Sequence, residues 1–196
     1  NYSADGDFPS HPLALEWLRQ CPYVVCCDGA ANTYIRSGRM PEAIVGDGDS
    51  LLPDIKERYA ALLRSEAEQE SNDLSKAFRF CLSQERKRIT IMGATGKRED
   101  HTIGNVSLLA DYMEQAEVSM MTDYGIFVPI REDSMFESYI GQQISVFNMN
   151  STALSAEGLA YPLSVFTNWW QGTLNEALAR HFIIRTEAKV LVFRVF

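Results

Sequence analysis

The sequence predicts an α/β protein in two parts: a mostly parallel, Rossmann-like α/β domain over residues 1–123, then an antiparallel β-sandwich over 124–196. Three observations carry this. Up to about residue 123, short β-branched apolar runs alternate with helical patterns, which implies a parallel sheet covered by helices. Beyond it, IFVPI, QQISVFN, HFIIRT and KVLVFRVF succeed one another through turns and loops, without helices between them. At 196 residues and 46% apolar, the chain is long enough for one large core or two small ones.

The elements follow in order. YVVCC (23–27) reads as a buried strand, and Ala30, Tyr34 and Ile35 fit a short helix stopped by Gly38. Ala43-Ile44-Val45 is a second strand, followed by a helical stretch over 53–67. Asn72 is placed to cap a helix whose apolar stripe is Leu74, Ala77, Phe78, Cys81 and Leu82. RITIMG (88–93) is a third strand. Ile103, Val106, Leu109, Ala110 and Met113 continue as a helix, and VSMMT (118–122) is a fourth strand.

Composition excludes several classes. A net charge of −8 argues against broad nucleic-acid binding, which needs a basic surface. No apolar run approaches the roughly 18–20 residues of a membrane span, and no signal peptide is visible at Asn1. The four cysteines include no C-x-x-C pair and read as reduced core residues of a cytoplasmic protein.

The acids carry the functional reading. In an open parallel sheet, ligands bind beyond the carboxyl ends of the strands. Asp28, Asp47, Asp49 and Asp100 each follow a predicted strand by a few residues, and Asp73 lies in the first turn after Asn72. Five carboxylates from four segments then collect on one rim, where their repulsion needs a cation. Mg²⁺ suits them, because it takes a few carboxylates, several waters and substrate phosphate oxygens. In an extended loop Asp47 and Asp49 lie roughly 6–7 Å apart, close enough to converge on hydrated ions. Each segment taken alone is equally a turn or a helix cap; their coincidence on one rim favours the metal.

The stretch GATGKREDHTIGN (93–105) is not a Walker A loop, since its glycines are too close and Arg98 follows Lys97. A glycine turn feeding a helix still exposes N–H groups suited to phosphate. Arg98 offers a bidentate clamp, and His101 and Asn105 share one helix face. The same residues also fit a capped helix with a solvated Lys97.

Taken together, CDGAAN (27–32), VGDGDS (45–50), QESNDLSKA (69–77), GATGKREDHTIGN (93–105), EGLAYPL (157–163) and WQGTLNEA (170–177) resemble the thiamine pyrophosphokinase family, in motif order and over nearly the whole chain. Two departures stand out. Asn72 occupies the place of the family's usual threonine, and only Asn1-Tyr2-Ser3 precede the ADGDFP turn, where the family has an apolar strand. A truncated start and the role of Gly6 therefore stay open.

The resemblance implies transfer of a diphosphoryl group from ATP to the hydroxyl of thiamine, releasing AMP, in a homodimer with active sites near the interface. It implies Asp47, Asp49, Asp73 and Asp100 as Mg²⁺ ligands, with Asp49, Asp73, Asp100 and Arg98 as catalytic residues. ATP would be held by Asp28, Asn32, Arg98, His101, Asn105 and the loops of Gly46, Gly93 and Gly96. Gln69 and Asp73 would lie near the thiamine hydroxyl. Thr173 and Asn175 would touch the thiamine pyrimidine, and Tyr161 would stack on it across the dimer. Trp169 and Trp170 fit core packing or ligand stacking equally. Two other readings are weighed: a haloacid-dehalogenase-like phosphotransferase, from Asp47-Gly48-Asp49-Ser50, and a catalytically silent regulator that binds thiamine or nucleotide on the same fold.

Overall fold

The computed structural model describes residues 2–3, 6–65 and 71–196. The chain divides into two units, Asn1–Leu108 with Gln115–Asp123 and Leu109–Glu114 with Tyr124–Phe196. The fold is mixed α/β, with a parallel sheet and helices first and an antiparallel β-sandwich after it. Among the described residues no helix is long and apolar enough to cross a membrane. All four cysteines are free thiols, three of them buried.

In the first unit, β1 (Tyr2–Ser3) is followed by α1 (Pro12–Gln20), β2 (Val25–Cys27), α2 (Asp28–Arg36), β3 (Ala43–Val45), α3 (Pro53–Arg58) and β4 (Leu63–Arg64). Then come α4 (Asp73–Ser83), β5 (Arg88–Met92), α5 (Glu99–Ser107) and, past the helix of the second unit, β6 (Glu117–Met121). The strands run parallel in the order β6-β5-β1-β2-β3-β4. Every residue of β2 and β3 is buried, as an apolar run covered on both sides should be. The strand order reverses between β1 and β5: the chain winds outward from β1 to β4, then crosses back to β5 on the other side. Such a reversal opens a crevice at the carboxyl ends of the two central strands.

Tyr2 and Ser3 are inserted between β2 and β5, in register with Val25 and Ile91 and with Cys26 and Met92. Both neighbours run parallel to it.

Two helices differ from expectation. The stretch predicted to be helical from residue 53 ends at Arg58, tightens into a 3₁₀ turn at Ala60–Leu62, and extends as β4 to pair Leu63 with Ile44. The predicted helix of 103–113 begins earlier, at Glu99, and is interrupted at Leu108, after which a separate α6 (Leu109–Tyr112) opens the second unit. Asn72 caps α4 as expected, its side chain accepting a hydrogen bond from Ser75 N at 2.9 Å.

The second unit contains β7 (Gly125–Ile130), β8 (Ser134–Glu137), β9 (Gln143–Asn148), β10 (Leu154–Glu157), β11 (Asn175–Glu176), β12 (His181–Thr186) and β13 (Val190–Val195). One layer pairs β7 and β9 antiparallel with β13, and β11 with β9; the other is β10-β12-β8. Between them lies a core that includes Phe136, Val146, Phe182, Ile184 and Val192. The rings of Phe136 and Phe182 stack across strands with centroids 5.1 Å apart.

Glu187, in the turn between β12 and β13, fastens the 151–153 loop. Its Oε1 accepts from Thr152 N at 2.7 Å, Thr152 Oγ1 at 2.9 Å and Ala153 N at 3.0 Å. These donors, the Thr152 backbone N–H foremost, hold its carboxyl down to about 2. A depressed carboxyl stabilises the fold above its unfolded value and loses that contribution as pH falls through the folded one. We therefore expect Glu187→Gln to lower Tm at neutral pH. In a thermal-unfolding series, the gap to wild type should close as pH falls from about 4.5 towards 2.

Candidate active site

The crevice at the strand reversal is closed by two loops bonded directly to each other. Gly6 N donates to Gly93 O at 2.6 Å and Asp7 N to Thr95 O at 2.8 Å, joining the loop after β1 to the loop after β5. A side chain at Gly6 would meet the carbonyl oxygens of Gly93 and Thr95, so only glycine permits this approach. Gly93 and Gly96 both have positive φ, 64° and 98°, which curls the second loop back over the strand end.

Beside these loops lies a cavity of about 220 Å³, lined by Asp73, Thr95, Lys97, Arg98, His101 and Asn105 among others. His101 and Asn105 both face it, as their spacing on α5 predicts. Asn105 Nδ2 donates to Ala94 O at 2.9 Å and so holds the glycine loop to α5. Arg98 and Asp100 form a two-pronged ion pair, Nε to Oδ1 at 3.0 Å and Nη2 to Oδ2 at 2.6 Å. The guanidinium holds Asp100 below the usual carboxylate range, and Asp100 raises Arg98 in turn.

The carboxylates gather along β2, β3 and α4. Asp28 opens α2 directly after β2, is only 3% exposed, and accepts from Ser50 N at 3.2 Å through Oδ2. Its Oδ1 is buried and receives no hydrogen bond. Burial lifts the Asp28 carboxyl above the usual range; the Ser50 N–H pulls it back part-way, and the neighbouring Asp47, with Asp73, lifts it further. Asp47 is held low, first by the Asp49 backbone N–H at 3.0 Å and then by Asp28. Two carboxylates can share a hydrogen bond only with a proton between them. The alternative that satisfies both is a cation.

Gly46 makes this contact possible. It has φ +153°, and a Cβ there would sit 2.7 Å from Asp28 Cβ. Asn32 braces the same loop, donating to Ser50 O at 2.8 Å and accepting from Leu52 N at 2.9 Å. Asp49 is exposed and lies 3.9 Å from Lys56 Nζ. Asp73 pairs with Lys76 Nζ at 3.3 Å. Gln69 lies outside the described residues.

In the second unit, Asn175 is buried and clamps the backbone of Tyr161. Its Oδ1 accepts from Tyr161 N at 3.0 Å, and its Nδ2 donates to Tyr161 O at 2.8 Å. The Tyr161 ring itself is 64% exposed. Thr173 is half-buried and donates to Trp170 O at 2.7 Å. Neither tryptophan is a core residue: Trp170 is 72% exposed, and Trp169 packs only its edge against Phe147.

The model of the thiamin pyrophosphokinase catalytic domain matches residues 14–121. The chain belongs to the thiamin pyrophosphokinase family. The model of the family's substrate-binding domain matches residues 125–193. Thiamine pyrophosphokinase 1 of Oryza sativa subsp. japonica is 29% identical over 129 residues, covering 53% of this chain and 49% of the rice protein. Thiamine pyrophosphokinase of Bacillus subtilis (strain 168) is 34% identical over 86 residues, 42% of this chain and 40% of that protein. The chain thus spans about half the length, or less, of the curated relatives it matches. Crystal structures of thiamine pyrophosphokinase from Bacillus subtilis and thiamin pyrophosphokinase from Candida albicans share the fold. Their TM-scores are 0.82 and 0.81, at 21% and 18% identity, covering all of this chain and 97% and 88% of theirs.

The residues present suit a hard divalent cation of the kind this family's resemblance implies. Among the described residues no three His, Cys, Asp or Glu side chains form a ready-made metal cage. Mg²⁺ does not need one, since it keeps waters and shares ligands with substrate phosphates. The oxygen-only donors Asp47, Asp49 and Asp73, together with the unsatisfied Asp28 Oδ1, meet that requirement.

Lys76, Asp7 and Thr95 are residues at the site that the sequence reading did not single out, and Gly6, whose role it left open, joins the two loops. Lys76 had a legible signal: it follows Asp73 by three residues and so shares its helix face.

Neutralising Asp28 tests the electrostatics. Its charge at the start of α2 contributes about 0.3–1 kcal/mol, whereas an amide here turns the unsatisfied acceptor into a donor towards Asp47 and so relieves a buried, unsatisfied polar atom that costs about 1–3 kcal/mol. We therefore expect Asp28→Asn to raise Tm when unfolding is followed in chelator. A lower Tm would show that Asp28 is already satisfied without a cation.

Proposed function

We propose that this chain transfers the diphosphoryl group of ATP to the hydroxyl of thiamine, giving thiamine diphosphate and AMP, as a cytoplasmic homodimer with active sites near the subunit interface. Family membership supports the substrate class. The observation that carries the reading is the pairing of an acid cluster, Asp28, Asp47 and Asp73, with a glycine loop bearing Lys97 and Arg98, all on the carboxyl edge of one parallel sheet.

In this reading Asp47, Asp49, Asp73 and Asp100 hold Mg²⁺, with Asp28 beside them. Bound Mg²⁺ would draw electron density from the phosphate oxygens and neutralise charge that develops on them. Phosphoryl-type transfer asks little covalent work of side chains and depends on positioning and charge neutralisation. The N–H groups of the Gly93–Gly96 loop would cradle phosphate, and Gly46 would let the backbone approach it. Arg98 would exchange Asp100 for a phosphate oxygen. His101 and Asn105 would flank the nucleotide, with Asn32 keeping the 50–52 loop in place. Asp73 would orient the thiamine hydroxyl and accept its proton, with Gln69 assigned to the same group. In the second unit, Tyr161 and Thr173 would contact thiamine. Asn175 would act by fixing the Tyr161 backbone. The positive thiazolium suits an exposed aromatic ring, worth about 0.5–2 kcal/mol.

Asp49→Asn and Asp100→Asn each remove a charge without changing shape. Both are expected to lower turnover by about 10²-fold or more while leaving Tm near wild type. The assay follows thiamine-dependent formation of AMP from ATP in the presence of Mg²⁺. Substantial activity in both variants would overturn the site assignment. No turnover by the unaltered protein, with thiamine still bound, would replace the enzyme by a binding regulator.

A further inference from the structure

We propose that Lys76 is a positioning residue: an internal counter-charge that holds the Asp73 carboxylate, with Asp47 beside it, before any metal arrives and competes with a divalent cation for that site. This rests on the functional reading above, in which those carboxylates are metal ligands.

Lys76 is only 9% exposed, which is unusual for lysine without a charged partner. Lys76 lies in α4 among the core residues Leu74, Ala77 and Phe78, and its side chain is only 11% exposed, so its stem is buried. The ammonium reaches Asp73 Oδ1 at 3.3 Å, one helical turn back. It also acts on Asp47, which comes from the loop after β3 rather than from the helix, and helps hold that carboxyl ionised. A single buried cation is therefore paired with Asp73, with the charge of Asp47 from a separate segment nearby. Beside them is Asp28, whose Oδ1 has no donor at all.

The arrangement has a consequence for metal binding. Three carboxylates crowded on one rim repel one another, and without a cation the loop after β3 would be pushed away from α4. The ammonium prevents this by offering one positive charge at a fixed point. A divalent ion that enters must then share Asp73 with a positive charge already in place. Lys76 thus preserves the geometry of the site at the expense of its affinity for bare metal. The deficit is recovered when the ion arrives with phosphate, whose negative oxygens the same ammonium can meet. Lys76 so favours metal–nucleotide over free metal.

The test is a titration of the metal-free, nucleotide-free full chain with Mn²⁺, read by the loss of the aqueous Mn²⁺ electron-spin resonance signal. Lys76→Met and Lys76→Gln should bind Mn²⁺ about tenfold more tightly than the unaltered protein, because a repelling charge within a few ångströms has gone. Lys76→Arg keeps the charge and should bind as the unaltered protein does. In the presence of ATP and thiamine that advantage should vanish, and the neutral variants should have a lower kcat, since Asp73 has lost its anchor. A purely structural lysine would lower Tm and kcat without tightening Mn²⁺. Equal or weaker Mn²⁺ binding by both neutral variants therefore overturns the counter-charge alone. Mn²⁺ bound by none of the proteins overturns it together with the metal assignment, whereas thiamine-dependent AMP formation tests the reaction separately.

Discussion

The Asp28 carboxyl, buried at the end of β2 against Asp47, is the electrostatic constraint around which the first unit is arranged. Burying one carboxylate beside another is unfavourable, and several features of the chain exist at this point to contain it. Backbone N–H groups of Ser50 and Asp49 each donate to one of the two acids. Gly46 gives up its side chain so that the strand end can pass Asp28. Lys76 brings a buried positive charge to Asp73 beside them. The parallel sheet makes the crowding unavoidable, because it delivers the ends of β2 and β3 side by side, in register from Val25 and Ala43 to Cys27 and Val45. A site organised in this way is poised for a cation, and proteins commonly spend stability at such places.

A second device recurs in both units: asparagine side chains used as backbone braces. Asn32 spans the 50–52 loop, Asn105 ties the glycine loop to α5, and Asn175 grips Tyr161 from both sides. An amide suits this use because it presents a donor and an acceptor on one planar group. The charged and aromatic groups around them remain exposed: Asp47, Asp49, Arg98 and the Tyr161 ring. Rigid amides beneath and exposed reactive groups above are what a preorganised binding surface requires.

Much of this was legible in the sequence, and the misses have physical reasons. Strand–helix alternation and the change of pattern near residue 124 give both halves of the fold, because each pattern reflects which faces are buried. The run from residue 53 reads as one helix by composition, yet pairing of Leu63 with Ile44 draws its end into the sheet, and no local signal reports that partner. Tyr2 and Ser3 are too few to announce a strand; both flanking strands define it. Asp28, Asp47, Asp49 and Asp100 were identifiable because each follows a strand, and Asp73 because it opens a capped helix. The spacing of Lys76 from Asp73 is legible, but its burial is not, since a lysine in a helix is normally solvated and the core around it decides. Asn32 and Asn175 were marked as ligand contacts, but their backbone partners lie 14–20 residues away and only the folded chain reveals them.

The central claim is that this site moves two phosphoryl groups in one step, and an isotope decides it most directly. With ATP carrying ³²P only at its β-phosphorus, and with thiamine and Mg²⁺, the account predicts that the label leaves the nucleotide and appears in a thiamine diphosphate product. Label retained in ADP beside a thiamine monophosphate would contradict it: the crowded carboxylates would then serve an ordinary single-phosphate transfer.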